Sequence, residues 1–105
     1  ERRLRCGGLE VDTAAGTVWQ EGREVPLTEL EYRIVLLLAS YPNKIFSAEN
    51  LYESIWEEPY FYSCKNTVMV HIRNLRTKIE ADPQNPKRVC TVWGKGYRFV
   101  SEERV

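Results

Sequence analysis

The side chains of this chain best suited to chemistry are cations and amides, and they fall late in the sequence. Asn66, Thr67, His71, Arg73, Asn74, Arg76, Thr77 and Lys78 stand within thirteen positions of one another, and Trp93, Lys95 and Arg98 form a second group. No carboxylate interrupts 65–79, and none interrupts 83–101. Such groups bind rather than react. Ammonium and guanidinium groups hold phosphates, and a carboxamide offers a paired donor and acceptor to a base edge. Catalysis fits poorly, because the single histidine, His71, has no Cys, Asp or Ser placed nearby in sequence as a recognisable partner. Gly94-Lys95-Gly96 is not a phosphate loop either, since it joins two strand-like runs and no helix follows it. Three cysteines with no CxxC pair, and one histidine, argue against a zinc site, so no cofactor is expected.

Length and composition bound what can carry these groups. The chain has 105 residues, 43% hydrophobic and 29% charged, which makes one domain over 1–105 with a core large enough to need no staples. The longest strongly apolar run, Ile34 to Ala39, is far short of the roughly 20 residues of a bilayer span, so no membrane partner is expected. An odd cysteine count, Cys6, Cys64 and Cys90, suits free thiols in a reducing cytoplasm. The opening Glu1-Arg2-Arg3, without initiator Met or signal peptide, reads as the start of a segment excised from a longer protein.

The formal net charge is zero, yet it is distributed in two halves. Residues 1–64 carry six basic and eleven acidic side chains, net −5, and residues 65–105 carry nine basic and four acidic, net +5. A local positive field attracts phosphate whatever the total charge.

The elements that must position these groups follow from periodicity. The first 27 residues alternate weakly between turn formers, with Leu9 and Val11 on one face of a strand, Val18 and Gln20 on another strand, and Arg23–Leu27 as a third ending at Pro26. A small antiparallel sheet is expected. Thr28-Glu29-Leu30-Glu31 is a capping box, with Leu27 and Tyr32 at the staple positions, and it opens a helix that Pro42-Asn43 stops. Ser47 caps a second, short helix before Pro59. Residues 57–66 read as a loop, in which two of the aromatics Tyr60, Phe61 and Tyr62 are expected to fold back onto the core unless they dock a partner.

A third helix is expected from a Thr67 cap to about Ala81. Val68, Ile72, Leu75 and Ile79 form its narrow apolar stripe. Opposite them lie Asn66, Val70, Arg73, Asn74 and Thr77, with Thr67, His71 and Lys78 along one flank and Met69 and Arg76 along the other. A solvated helix face ordinarily mixes charge signs to make i,i+4 pairs, and this one has no carboxylate to do so. After a polar turn at 82–86, 89–93 and 97–100 are β-rich runs joined by Gly94-Lys95-Gly96, a hairpin whose narrow tip presents Lys95.

A helix, a loop, a polar-faced helix and a glycine-tipped hairpin are the layout of a winged helix-turn-helix, which lays one helix in the major groove of duplex DNA. On that reading Asn74, Val70 and the Thr67 methyl are suited to base edges, and Arg73, Arg76, Lys78 and His71 to phosphates or guanine. The residues 27–32, 67–80, Asp82-Pro83, Pro86 and 91–99 closely resemble the DNA-binding effector domain of OmpR/PhoB-type response regulators. That resemblance implies an α+β fold with an N-terminal four-stranded antiparallel sheet, three helices and a C-terminal hairpin wing. It implies a transcription factor of a two-component system whose receiver domain is absent from this chain and is phosphorylated in a phosphorelay from a sensor histidine kinase. It further implies a homodimer on direct repeats of double-stranded DNA, with the recognition helix at about 67–80, the wing at about 89–100 near the minor groove, and the loop 57–66, bearing Tyr60, Phe61 and Tyr62, on RNA polymerase. Position by position, Thr67, His71, Arg73 and Arg76 match phosphate-contacting sites, Val70 and Asn74 match base-facing ones, and Thr77, Lys78, Thr91, Trp93 and Lys95 complete the expected DNA surface.

Two positions depart from the commonest family pattern. Asn74 stands where many members carry arginine, so their base preference does not transfer. Trp93 stands where a wing arginine often enters the minor groove, which leaves the electrostatic role to Lys95 and predicts that Lys95→Ala weakens binding more than Trp93→Ala at low salt. Glu58-Pro59-Tyr60-Phe61 together with Thr91-Val92-Trp93-Gly94 resembles the branch regulating vancomycin-type glycopeptide resistance. The alternative reading is a protein-interaction module whose basic helix docks an acidic partner. A single-stranded RNA binder would want aromatics interleaved on an exposed sheet, and here they fall on apolar stripes or in the loop.

Overall fold

The computed structural model describes residues 3–101, and the terminal positions of the expected 1–105 domain lie outside them. Four short strands, β1 (Arg3–Cys6), β2 (Leu9–Asp12), β3 (Thr17–Gln20) and β4 (Arg23–Val25), form an antiparallel meander in chain order. Val11, Val18 and Val25 sit side by side in register, and Cys6, Leu9, Val11 and Val18 make the face that is buried. The third strand expected from the residues stops at Val25, two positions early, and β1 is added at the edge.

Helix α1 (Glu29–Ser40) begins with both halves of the capping box. The Glu31 amide donates to Thr28 Oγ1 at 3.2 Å and the Thr28 amide donates to Glu31 Oε1 at 3.0 Å. Helix α2 (Ala48–Trp56) is capped by Ser47 as expected and ends at Glu57 in the left-handed conformation. Helix α3 (Lys65–Ile79) starts two residues before the expected Thr67 cap and ends two before Ala81. The cause is a 3₁₀ turn at Tyr62–Cys64 that runs directly into it, so no side-chain cap is used and the irregular loop shrinks to 57–61. Val68, Ile72, Leu75 and Ile79 are all buried, as the stripe predicts.

The hairpin of β5 (Val89–Val92) and β6 (Gly96–Phe99) is attached by its second strand. Phe46, just before α2, exchanges both backbone hydrogen bonds with Tyr97 at 2.8 Å each. Gly96 therefore has a different role from a narrow tip. A Cβ there would lie 2.0 Å from the Phe46 carbonyl oxygen, so only glycine permits the approach. The tip proper is Trp93, Gly94 and Lys95, closed by the Lys95 amide on the Val92 carbonyl at 2.9 Å.

Two polar side chains fix the turn between α3 and β5. The buried carboxylate of Glu80 accepts from the amides of Lys87 and Val89 at 2.8 Å each and of Arg88 at 3.0 Å. Arg88 donates to the carbonyls of Gly7 and Ile79, tying the sheet to the end of α3. Cys6 is buried and Cys64 and Cys90 are half-buried, and none of the three is in a disulfide. Among the described residues, no helix is long and apolar enough to cross a membrane.

Candidate nucleic-acid interface

Helix α3 and the wing face each other across an open groove of about 1000 Å³. Val70, Arg73, Arg76 and Thr77 line it from the helix, and Thr91, Trp93 and Lys95 line it from the wing. Lys65, Asn66, Met69 and Gln84 also reach it, and no carboxylate of the described residues does. The sequence placed Asn66 and Met69 on the helix surface without assigning them a role. Gln84 comes from the 82–86 turn, and only the tertiary arrangement brings it to the groove.

The expected site residues fall into two groups according to whether their polar atoms are already engaged. Arg73 and Asn74 are exposed on α3, and among the described residues neither side chain has a hydrogen-bond or ionic partner. Lys95 is exposed at the wing tip with its ammonium equally unengaged. Val70 is half-buried on the groove wall.

The flanking residues are committed within the fold. Arg76 Nε donates to the Val89 carbonyl at 2.9 Å and Nη2 to Thr91 Oγ1 at 3.0 Å, with its guanidinium carbon 5.9 Å from the Tyr97 ring centroid. It joins the helix to the wing. Lys78 Nζ lies 2.7 Å from Glu31 Oε1, so its charge is spent on the α1 capping box. Burial by itself would raise the Glu31 pKa, but the Lys78 ammonium and the Thr28 amide outweigh it and hold the carboxyl below its ordinary range.

His71 Nδ1 donates to the Thr67 carbonyl at 2.9 Å, and its ring meets Trp56 edge to face with centroids 5.0 Å apart. With Nδ1–H occupied, a phosphate contact requires Nε2 of the cationic ring. Thr77 Oγ1 donates to the Asn74 carbonyl at 2.6 Å, which leaves its methyl as the outward group. Thr67 is half-buried at the foot of the same flank.

In the loop, one aromatic folds back rather than two. Tyr60 packs edge-on against Tyr52 at 5.8 Å, while Phe61 and Tyr62 are 66% and 84% exposed. Tyr52 stacks on Trp56 at 4.9 Å, and its phenol, set against the Cys64 thiol, partly buried and donating to Glu58 Oε1 at 3.3 Å, is pushed up to about 12. The aromatic column Tyr60, Tyr52, Trp56, His71 thus links the loop to α3.

The family model described as transcriptional regulatory protein, C terminal, matches residues 22–99. The uncharacterized transcriptional regulatory protein YrkP of Bacillus subtilis (strain 168) is 56% identical over 94% of this chain and 43% of its own length. The regulatory protein VanRc of Enterococcus gallinarum is 45% identical over 72% of this chain and 32% of its own. The chain thus spans less than half the length of these relatives. Among solved structures, the response regulator DrrB of Thermotoga maritima, described as an OmpR/PhoB homolog, superposes with a TM-score of 0.85 at 33% identity, over 96% of this chain and 45% of that one. The RstA DNA-binding domain of Klebsiella pneumoniae in complex with the RstA box superposes with a TM-score of 0.87 at 26% identity, over 95% of this chain and 98% of that one.

Proposed function

The chain belongs to the family of transcriptional regulatory protein C-terminal domains, and on that premise we propose how it reads DNA. It is the winged-helix DNA-binding output domain of an OmpR/PhoB-type response regulator and acts in the control of transcription. The observation that carries the reading is the helix–wing groove, in which Arg73 and Lys95 have no acidic or hydrogen-bonding partner among the described residues and which no carboxylate of those residues lines.

Helix α3 enters the major groove. Asn74 reads a base edge through its paired donor and acceptor, and Val70 and the Thr67 methyl touch thymine methyls. Arg73 holds a phosphate. Arg76 acts first as the strut that sets the wing against α3 and second as a cation near the backbone, and Lys78 supports the site from behind through Glu31. The wing lies over the adjacent minor groove with Lys95 at the phosphates. Phe61 at the end of the 57–61 loop and Tyr62 at the start of the 3₁₀ turn, both exposed, suit RNA polymerase as the partner. In the full protein we place this domain after a phosphorylatable receiver, answering a sensor histidine kinase in the cytoplasm, with two copies pairing on direct repeats. The similarity to the regulatory protein VanRc suits the same branch as the 58–61 and 91–94 strings.

Selection of preferred duplexes from a random pool tests the reading. A short motif recurring in one orientation at about one helical turn is the expected result. Retention without any enriched sequence would favour the rival module, in which the basic helix docks an acidic protein.

A further inference from the structure

We infer that Met69 is a site of reversible oxidation by hydroperoxides, and that its sulfoxide weakens DNA binding by engaging Arg73. This rests on the DNA-reading function proposed above and adds a chemical control to the same groove.

The chain has one methionine, and its side chain lies on the wall of the helix–wing groove, 47% exposed. The other sulfurs are less accessible. Cys6 is buried and Cys64 and Cys90 are half-buried. A thiol must also ionise before it attacks a peroxide. Burial, aided by the Glu80 carboxylate, pushes the Cys90 thiol above its ordinary range. A thioether needs no ionisation, so exposure governs its access. Among the described residues, Met69 therefore carries the sulfur that a peroxide in solvent reaches most directly.

The step transfers one oxygen atom. Met69 Sδ attacks the terminal oxygen of the hydroperoxide, an S–O bond forms and the O–O bond breaks. The proton of the attacked oxygen passes to the leaving oxygen, which departs as water or an alcohol. Sulfur is oxidised by two electrons and the peroxide is reduced by two.

Helix spacing decides what the new oxygen meets. Arg73 follows Met69 by four positions on α3, where side chains are surface neighbours, and both line the groove. Among the described residues the Arg73 guanidinium has no hydrogen-bond or ionic partner, and no carboxylate of those residues lines the groove to compete for it. A thioether is a weak acceptor, whereas the sulfoxide oxygen is polar and accepts readily from a guanidinium. Oxidation thus gives Arg73 an internal partner in place of an external phosphate. It also turns the stretch of α3 between Lys65 and Arg73 from apolar to dipolar, with the negative end outward, on a surface that DNA approaches with phosphates.

The test uses a duplex recovered by selection and the domain before and after hydrogen peroxide. Dithiothreitol is then added, which returns sulfenic acids and disulfides to thiols and leaves the sulfoxide in place. Peptide mass mapping is expected to find one added oxygen on Met69. Treated wild type is expected to bind roughly tenfold more weakly than untreated, with the salt slope lowered by about one and the melting temperature unchanged. Methionine sulfoxide reductases acting on both epimers should restore the affinity. Met69→Leu should bind equally before and after treatment, and Arg73→Ala should lose at most about twofold, since the guanidinium is already gone. No oxygen on Met69, an affinity unchanged by its oxidation, a loss of the same size in Met69→Leu or Arg73→Ala, or a loss that comes with a lowered melting temperature would each overturn the inference while leaving the DNA-reading function standing. An untreated domain that enriches no sequence at all would overturn that function itself.

Discussion

The N-terminal sheet and the C-terminal wing are built alike, from antiparallel strands of three or four residues, and they treat charge in opposite ways. In the sheet, Arg3 lies 2.8 Å from Glu10 and 3.7 Å from Asp12, and Arg5 lies 3.1 Å from Glu10, so the cations of β1 are neutralised by cross-strand neighbours. In the wing, Lys95 and Arg98 have no carboxylate partner among the described residues, and Arg76 meets only neutral acceptors. Cross-strand ion pairs at exposed positions are easily made, so their absence from one sheet of the same chain marks a surface whose counter-charge is external. The same division runs through α3. Its Lys78 is paired to an acid of the fold and its Arg73 is not.

The largest expected effect separates the two sheets through their glycines. Gly96→Ala puts a Cβ 2.0 Å from the Phe46 carbonyl oxygen and should cost about 3 kcal/mol or more by denaturant unfolding, with DNA affinity lost as the wing detaches. Gly22→Ala, at φ +79° with open space around it, should cost only about 1 kcal/mol and leave affinity intact. Equal costs would mean the wing is no more tightly held than a sheet turn. Next in size, Asn74→Ala should lose about 1–3 kcal/mol on the preferred duplex and little on random DNA. Loss of the same size on both would remove Asn74 from base reading.

The charge comparison is sharpened by a pair of arginines. Arg73→Ala should lower the slope of log affinity against log salt by about one, whereas Arg3→Ala should leave the slope unchanged and cost at most about 1 kcal/mol of stability. The smallest effect concerns pH. Glu31 has its pKa depressed in the fold, so its contribution to stability is present above the ordinary value of 4.5 and fades as pH falls through the lowered one. Unfolding of wild type and Glu31→Gln across that range should show the two stabilities converging on acidification. A gap that stays constant would mean the Lys78–Glu31 pair is not what separates them.

Local patterns were legible in the sequence where one stretch of chain contained the whole physical cause. The α1 capping box needs only residues 28–31, and the α3 stripe needs only its own period. The α3 start was misread because Thr67 is a good cap by composition, while the 3₁₀ turn before it makes a cap unnecessary. β1 was available only through the family resemblance, although Arg3-Leu4-Arg5-Cys6 alternates polar and apolar residues, because four positions are too short a run to stand out. Within the site, Arg73 and Lys78 read as equivalent cations, and what divides them is Glu31, 47 residues away from Lys78. Arg76 was read as a phosphate ligand for the same reason, because Thr91 and the Val89 carbonyl are brought to it only by the wing. Glu80 gave no signal that its carboxylate would be buried on three successive amides.

The backbone exchange between Phe46 and Tyr97 also bears on the order in which the domain assembles. The β5–β6 hairpin by itself is a local structure of the kind that closes in about 1–10 μs. Its attachment joins positions 46 and 97, and a contact of such long range is entropically costly until α2 and α3 between them are in place. The groove is therefore a late product of folding and among the first features given up in partial opening, with amide exchange at Phe46 and Tyr97 as its gauge. A nascent or damaged chain can hold a formed recognition helix without holding a reading head.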